Sequence, residues 1–430
     1  MTENIDLHQV FEYINKCQSN FKHIAVLNDF EKQVSLVGLS SNKSLSVNSN
    51  NTFKWAEIES FLSENDCYKF CMLSYDLKNE IENITSNNND FLKLPLVSCF
   101  IPDIVLKFST NSTELWSHPN STINIDEVLK KIKEVEFNNS NLSSSSFTLK
   151  SSMTDEEYVE KFNKLLYHIQ QGDIYEVNFC REFYIEEFNE NPFQLYQELT
   201  KISPMPFAGF YKDDDKLLLC ASPERFFAKK ADKLICQPIK GTIKRGKTEE
   251  EDLELIQALS NSEKEQSENV MIVDLMRNDL SKIAEKNSVK VKELFGVYSF
   301  KQLHQMISTI EATVQNKTWE DIFKALYPMG SMTGTPKLRA MELIEDFENH
   351  KRSWYSGSLG YIAPNGDADF NVVIRSLLIN QTLRKASFSV GSAITSDANA
   401  DDELKECFLK AKALMQLLNV EYKERILENV

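Results

Sequence analysis

Between Ile174 and Lys240 the chain carries four short runs, IYEVNFCREFYI, PFAGFY, KLLLCASPERFF and LICQPIK, rich in aromatic and branched residues and bounded by Pro, Gly or Asp. That punctuation is the pattern of antiparallel strands: β-branched and aromatic side chains pack on a pleated surface, and the bounding residues turn the chain. Helical spacing follows in EEEDLELIQALS and SEKEQSENVMIVDLMRNDLSKIA. Strand patterns return in SGSLGYIAP, ADFNVVIRSLLI and KASFSVGSAI before a last helix, DDELKECFLKAKALMQLLNV. Strands in runs and helices in runs, without strict βαβ alternation, point to an α+β sandwich. No internal repeat is present at the periods of about 20 to 50 residues that mark solenoids.

The polar run NNSNLSSSSFTLKSSM, 138–153, offers few large apolar groups to bury and reads as an exposed connection. It divides the chain into an N-terminal region, 1–150, and a second region, 151–430. The second opens with an amphipathic helix: Thr154 is a suitable N-cap, acids fill the first turn, and Tyr158, Phe162, Leu165, Leu166 and Ile169 recur at helical spacing. The N-terminus has early charges and no apolar run of signal-peptide or membrane-span length, which predicts a cytoplasmic protein. Its eight cysteines are scattered, as expected of reduced thiols, and the Cys67 and Cys71 pair lacks further ligands for zinc.

A net charge of −16 repels nucleic acid and anionic membranes, so a small anionic substrate would need local cations or a metal ion. Candidates for that chemistry are polar residues inside apolar elements, because burying an unpaired charge is costly. Lys240 ends a predicted strand directly before Gly241 and Thr242, and desolvation there would favour the neutral, nucleophilic amine. Glu224, in SPERF, stands near a neighbouring strand as an acid or base for it, although residue type alone also allows a surface lysine and a turn glutamate. Glu268 interrupts an apolar helix face, and Glu403 and Glu406 share a face three residues apart; converging, the three would form a hard-oxygen site for Mg²⁺. Arg375, on an otherwise apolar strand, suits a carboxylate, as do the small residues of SVGSAI and the helix start after GSMTGTPK. The latter lacks the spacing of a phosphate-binding loop, which argues against nucleotide. His304 is an acid/base candidate or a structural histidine.

In order, GDIYEVNF, SPERF, PIKGTIKRG, ENVMIVDLMRNDL, GSMTGTPKLRAMELIE, GYIAPNGDADFNVVIRS and GSAITSDANADDELKECFLKAKAL resemble the chorismate-utilising enzymes over about 154–420. The first 150 residues resemble that family's divergent N-terminal region only loosely, through LSYDLKNEIEN. The resemblance implies a large two-layer sandwich of antiparallel β-sheets with flanking helices, the N-terminal region packing on the core. It also implies an enzyme that binds chorismate with Mg²⁺. Carried over residue by residue, Glu268, Glu403 and Glu406 match the metal-site acids. Arg375, Tyr361 and Gly391, Ser392 and Ala393 match groups gripping the substrate carboxylates, and Lys412 matches a substrate-side lysine. Thr242, Thr333 and His304 match positions around the ring.

Lys240 separates the activities that the resemblance allows. Members with a small residue in its place make anthranilate or isochorismate, whereas PIKGT is typical of members that form 4-amino-4-deoxychorismate, a precursor of p-aminobenzoate and folate. For these the resemblance implies attack of the lysine amine on ring C2 with loss of the C4 hydroxyl, followed by ammonia at C4, with Glu224 as the acid/base group. Glu176 stands where ammonia-using members mostly have Gln, and Thr335 where TGAPK is usual. Isochorismate synthesis is disfavoured, since the water-activating lysine of those members is absent at position 176. An LLES-type element tied to tryptophan feedback is not evident, which weakens the anthranilate reading. The chain reads as one synthase module, so ammonia is expected from a separate glutamine amidotransferase subunit.

Overall fold

Local signals set the elements. In the computed structural model, which describes residues 5–49, 52–121, 123–137, 147–300 and 303–421, Thr154 caps the helix Asp155–Gln170 through a reciprocal pair of bonds with Glu157. Tyr158, Phe162, Leu165 and Ile169 form its buried face, as their spacing predicts. Residues 138–146 of the Ser/Asn-rich connection lie outside the described residues.

Two antiparallel sheets face each other. Across the first run Gly334–Thr335, Glu176–Glu186, Lys385–Ile394, Ser376–Asn380, Lys216–Ser222, Phe207–Asp213, His23–Asp29, Val34–Leu39, Ile104–Ser109 and Ser112–Ser117. Across the second run Ile239–Lys244, Leu303–Thr313, Lys233–Gln237, Arg225–Lys230, Ala368–Asn371, Ser358–Ile362, Lys69–Leu73, Val97–Ile101 and Lys43–Val47. Strands from before residue 138 therefore share both sheets with strands from after residue 150.

Alternation along the strands builds two cores. On Lys216–Ser222, Leu218 and Cys220 face the second sheet's Phe70, Phe100 and Phe227, while Leu217, Leu219 and Ala221 face a layer of helices. That outer layer includes Asp155–Gln170, Pro192–Ile202 and Ala400–Leu418, whose Cys407, Ala411, Leu414 and Leu418 are buried. The helices Glu263–Ser281 and Trp319–Leu326 contribute Ile272, Met276, Ile322 and Phe323 to the inter-sheet core. The α+β sandwich of two antiparallel sheets with flanking helices is thus the fold. No described helix is long and apolar enough to cross a membrane.

A buried clamp joins the layers near one end. Arg352 meets Glu348 through Nη2 to Oε1 at 2.6 Å and Nε to Oε2 at 2.9 Å, with each side chain 1% exposed. The same guanidinium donates to the carbonyls of Met332 and Asn178, and Glu348 Oε1 also accepts from Cys180 N. Every polar group of the pair that faces the interior is used, which is what makes such burial tolerable.

Candidate active site

The site forms where edge strands of the two sheets approach. Lys240 lies on the edge strand Ile239–Lys244, whose register against Leu303–Thr313 shifts between Ile239 and Thr242. Gly241 sits in this irregularity at φ 82°, a backbone state that costs a glycine little. The lysine Nζ reaches across to the other sheet, 2.5 Å from Glu176 Oε1, and stands 3.6 Å from Glu268 Oε2 on the helix Glu263–Ser281. Gly334, opposite Val177, permits that strand edge: a β-carbon there would lie 2.1 Å from the Glu176 carbonyl oxygen.

Electrostatics correct one expectation. Burial does pull the Lys240 ammonium towards losing its proton, but the carboxylates of Glu176, Glu268 and Glu224 outweigh it and hold the group above the ordinary lysine range. The amine is therefore stored protonated, and a nucleophilic role requires that its proton be handed to a neighbour.

Glu224 and Arg375 both sit where the chain crosses between sheets, Glu224 between Lys216–Ser222 and Arg225–Lys230, Arg375 between Ala368–Asn371 and Ser376–Asn380. Burial pushes the Glu224 carboxyl up to about 7, against the pull of a Ser331 hydrogen bond and of Lys240, Lys410 and Arg375. That leaves a carboxylic acid able to donate a proton near neutral pH. Burial lowers the Arg375 guanidinium, with Glu224 opposing, and among the described residues its side chain bonds only the Met205 sulfur, at 3.8 Å. Such a cation is suited to a carboxylate ligand.

The three acids come to the same end of the fold. Glu403 is raised by burial and then by Glu406, whereas Glu406, despite burial, is lowered by Lys410 at 2.7 Å. Glu265, one turn before Glu268, is raised by burial and by Glu268, so the helix presents a second acid beside the site. Crowded carboxylate oxygens are the donors a hard cation prefers, and their mutual repulsion is what such a cation relieves. Among the described residues, however, no three Asp, Glu, His or Cys side chains stand close enough to hold a metal ion.

Several predicted residues are placed differently. Lys412 is exposed, facing away from the site. Lys410, two residues earlier and one turn after Glu406, points inward and donates to the Gly391 carbonyl at 2.9 Å. His304 is buried on the far face of its strand, fixed by Asp252 at 3.0 Å and Ser299 at 2.8 Å. Strand side chains alternate, so the next residue, Gln305, takes the site face: its amide reaches Thr242 Oγ1 at 3.5 Å, and its Oε1 is buried without a partner among the described residues. Tyr361 lines a separate cavity of about 510 Å³ with Leu27, Pro206, Phe207 and Asp369. Tyr355, six residues earlier, is buried with its hydroxyl against Cys180, the thiol that packs beneath Gly391.

The other placements follow from packing. Thr242 is exposed two residues beyond Lys240. Thr333 is fully buried, with its hydroxyl turned onto the Met329 and Gly330 carbonyls. The Ser392 hydroxyl is used by Tyr158 at 3.1 Å and by Glu403, which leaves the backbone of Ser392 and Ala393 on Lys385–Ile394 as the contact for a ligand. Glu176, Glu265, Gln305 and Lys410 are the site-facing residues that motif matching left unassigned. An acid at the 265 and 268 spacing was visible in the sequence, whereas the others needed the register of specific strands or the rotation of one helix.

Comparison with known proteins agrees with this fold. The chorismate binding enzyme family matches residues 13–416. A probable chloroplastic aminodeoxychorismate synthase of Oryza sativa is 38% identical over 288 residues, covering 64% of this chain and 32% of its own length. The aminodeoxychorismate synthase component 1 of Bacillus subtilis is 31% identical over 367 residues, 82% of this chain and 77% of its own. The chain thus spans about a third of the rice relative and three quarters of the bacterial one. The crystal structure of anthranilate synthase component I from Streptococcus pneumoniae superposes with a TM-score of 0.79 at 22% identity, over 90% of this chain and 92% of that one.

Proposed function

The chain belongs to the chorismate binding enzyme family, and from that premise we propose that it is an aminodeoxychorismate synthase component 1, converting chorismate and ammonia to 4-amino-4-deoxychorismate. The observation that carries this choice is Lys240, an amine projected from one sheet and set 2.5 Å from Glu176 of the other. A relative of that name from Bacillus subtilis and a probable aminodeoxychorismate synthase from rice support it. Glutamine amidotransferase would be the partner that supplies ammonia, consistent with a relative named as component 1, and the setting would be the cytoplasm.

In the proposed reaction the Lys240 ammonium passes a proton to Glu176, and its amine attacks ring C2. The ring double bond shifts, and the C4 hydroxyl departs as water with a proton from Glu224, which then recovers one from the new secondary ammonium. Ammonia forms the C4–N bond as the C2–N bond breaks. The proton that Glu224 returns to the departing lysine nitrogen is replaced from the new C4 ammonium, and Lys240 retrieves its own from Glu176. Arg375 and Lys410 would grip the carboxylates of chorismate, with the Ser392 and Ala393 backbone as a further contact. Glu268, Glu403 and Glu406 would hold Mg²⁺ only after drawing closer together than they stand here, and the ion would then neutralise substrate carboxylate charge.

Incubating the chain with chorismate, Mg²⁺ and an ammonium salt is expected to give 4-amino-4-deoxychorismate by mass. Anthranilate with pyruvate, or isochorismate as the main product, would overturn the assignment. The acid role of Glu224 adds a pH signature. The group must be protonated to act and its carboxyl in the free protein lies at about 7, so kcat/KM is expected to fall as pH rises above that value. Glu224→Gln should lower kcat about 10²- to 10⁴-fold and flatten this limb, as the scale of general acid catalysis requires. A limb that survives the substitution unchanged would assign it to another group.

A further inference from the structure

Asp76, on the short helix Tyr75–Glu80, lines a cavity of about 290 Å³ whose walls come from the N-terminal region and from Lys351 and Ser353. The residue is 6% exposed. Its Oδ2 accepts from Ser353 N at 3.0 Å, whereas its Oδ1 is buried with no hydrogen-bond partner among the described residues. The nearby cation Lys78 is used elsewhere, by Glu345 Oε1 at 2.6 Å and Asn79 Oδ1 at 2.7 Å. Burial pushes the Asp76 carboxyl up to about 6, although Lys78 and Lys351 draw it down through space. A carboxylate oxygen desolvated without a bonded donor is costly, so Oδ1 marks a place for a cationic hydrogen-bond donor.

The rest of the cavity describes the molecule that carries this donor. Glu80 and Asp90 add further acids, Lys351 adds a cation, and Leu94 and Leu96 are buried walls. Acids outnumber cations there, which disfavours an anion. Among the described residues no three acids stand close enough to hold a metal ion, so the ligand must present its charges apart. We infer that this cavity binds a basic α-amino acid, lysine or arginine, with its α-ammonium on Asp76 Oδ1, its carboxylate on Lys351 and its side-chain cation between Glu80 and Asp90. The apolar stem of such a side chain lies along Leu94 and Leu96, as long cationic side chains do on apolar surface. Lys351 and Ser353 flank Arg352 of the buried clamp, so the bound amino acid ties the N-terminal region to the segment that carries the clamp. The cavity shares no lining residue with the one around Tyr361.

Titration calorimetry on the full chain with free lysine and free arginine tests this. Both are expected to bind, and each should raise the melting temperature, as a ligand of the folded state does. Cadaverine, which lacks the carboxylate, and serine, which lacks the second cation, should bind more weakly. Asp76→Asn keeps an acceptor for Ser353 N and turns an NH₂ to the cavity; its affinity for lysine is expected to fall about 10- to 100-fold, the scale of a charge-assisted hydrogen bond. Lys351→Met leaves the Asp76 contact to Ser353 intact and should weaken lysine about 2- to 5-fold, the scale of an exposed ion pair, with cadaverine unaffected. Absence of binding to the wild-type chain at about 10 mM lysine or arginine, where even a millimolar site would be filled, overturns the inference. So does lysine binding that serine or cadaverine matches and Lys351→Met leaves unaltered, which would reduce the cavity to a general attraction for cations.

Discussion

Lys240→Arg is expected to abolish formation of 4-amino-4-deoxychorismate, lowering kcat on the order of 10⁴-fold or more, as loss of a covalent nucleophile does in other enzymes. Arginine is the informative replacement. An alanine would leave Glu176 and Glu268 facing an empty position, and an unpaired buried carboxylate costs roughly 3–5 kcal/mol. Inactivity of that variant would then confuse chemistry with unfolding. Arginine keeps the cation for both carboxylates but stays protonated at any working pH, so it cannot attack C2. The measurement is a mass assay of product and adduct, together with a thermal melt showing that the fold persists. A folded Lys240→Arg protein with wild-type turnover would remove the covalent step and leave direct attack of ammonia on chorismate.

Glu348→Ala should produce the largest loss of stability. Arg352 would keep its bonds to the Met332 and Asn178 carbonyls but lose both carboxylate contacts in a site where each side chain is 1% exposed. Breaking such a pair from one side is expected to cost about 3–5 kcal/mol, because the remaining charge stays buried. Cys180 N loses its acceptor as well. Since Met332 immediately precedes Thr333 and the Gly334–Thr335 strand, the loosening reaches the site, and the KM for chorismate should rise with the fall in melting temperature. Glu348→Gln retains an oxygen and a similar volume and should recover part of the loss. An alanine variant that melts within a degree of wild type would show that the clamp contributes little net stability.

The fold was legible because its signals are local. Short aromatic and branched runs between turn residues became strands, Thr154 and Glu157 capped the helix where their spacing requires, and alternation on Lys216–Ser222 divided the two cores. Of the proposed site residues, Lys240, Glu224, Glu268 and Arg375 stand out in the sequence as charges in apolar elements, and Glu403 and Glu406 as acids sharing one helix face. His304 and Lys412 lie apart from Lys240 for a common reason: each has a polar neighbour one or two residues away, and motif matching does not resolve strand face or helix rotation; Tyr361 instead lines a separate cavity. One step along a strand exchanges His304 for Gln305, and two along a helix exchange Lys412 for Lys410.

The sequence by itself determined the order of elements, the sandwich class and the set of charges that had to find partners. Only the tertiary structure decided which charges meet. Glu176 and Thr335, separate departures from the expected motifs and 159 positions apart, become facing residues through the pairing of the edge strand Gly334–Thr335 with Glu176–Glu186. The protonation of Lys240 was decided the same way. Desolvation, inferable from an apolar context, predicts a neutral amine, but the opposing carboxylates come from a different sheet and a helix. Coulombic interaction depends on distance in space, and no spacing along the chain reports it.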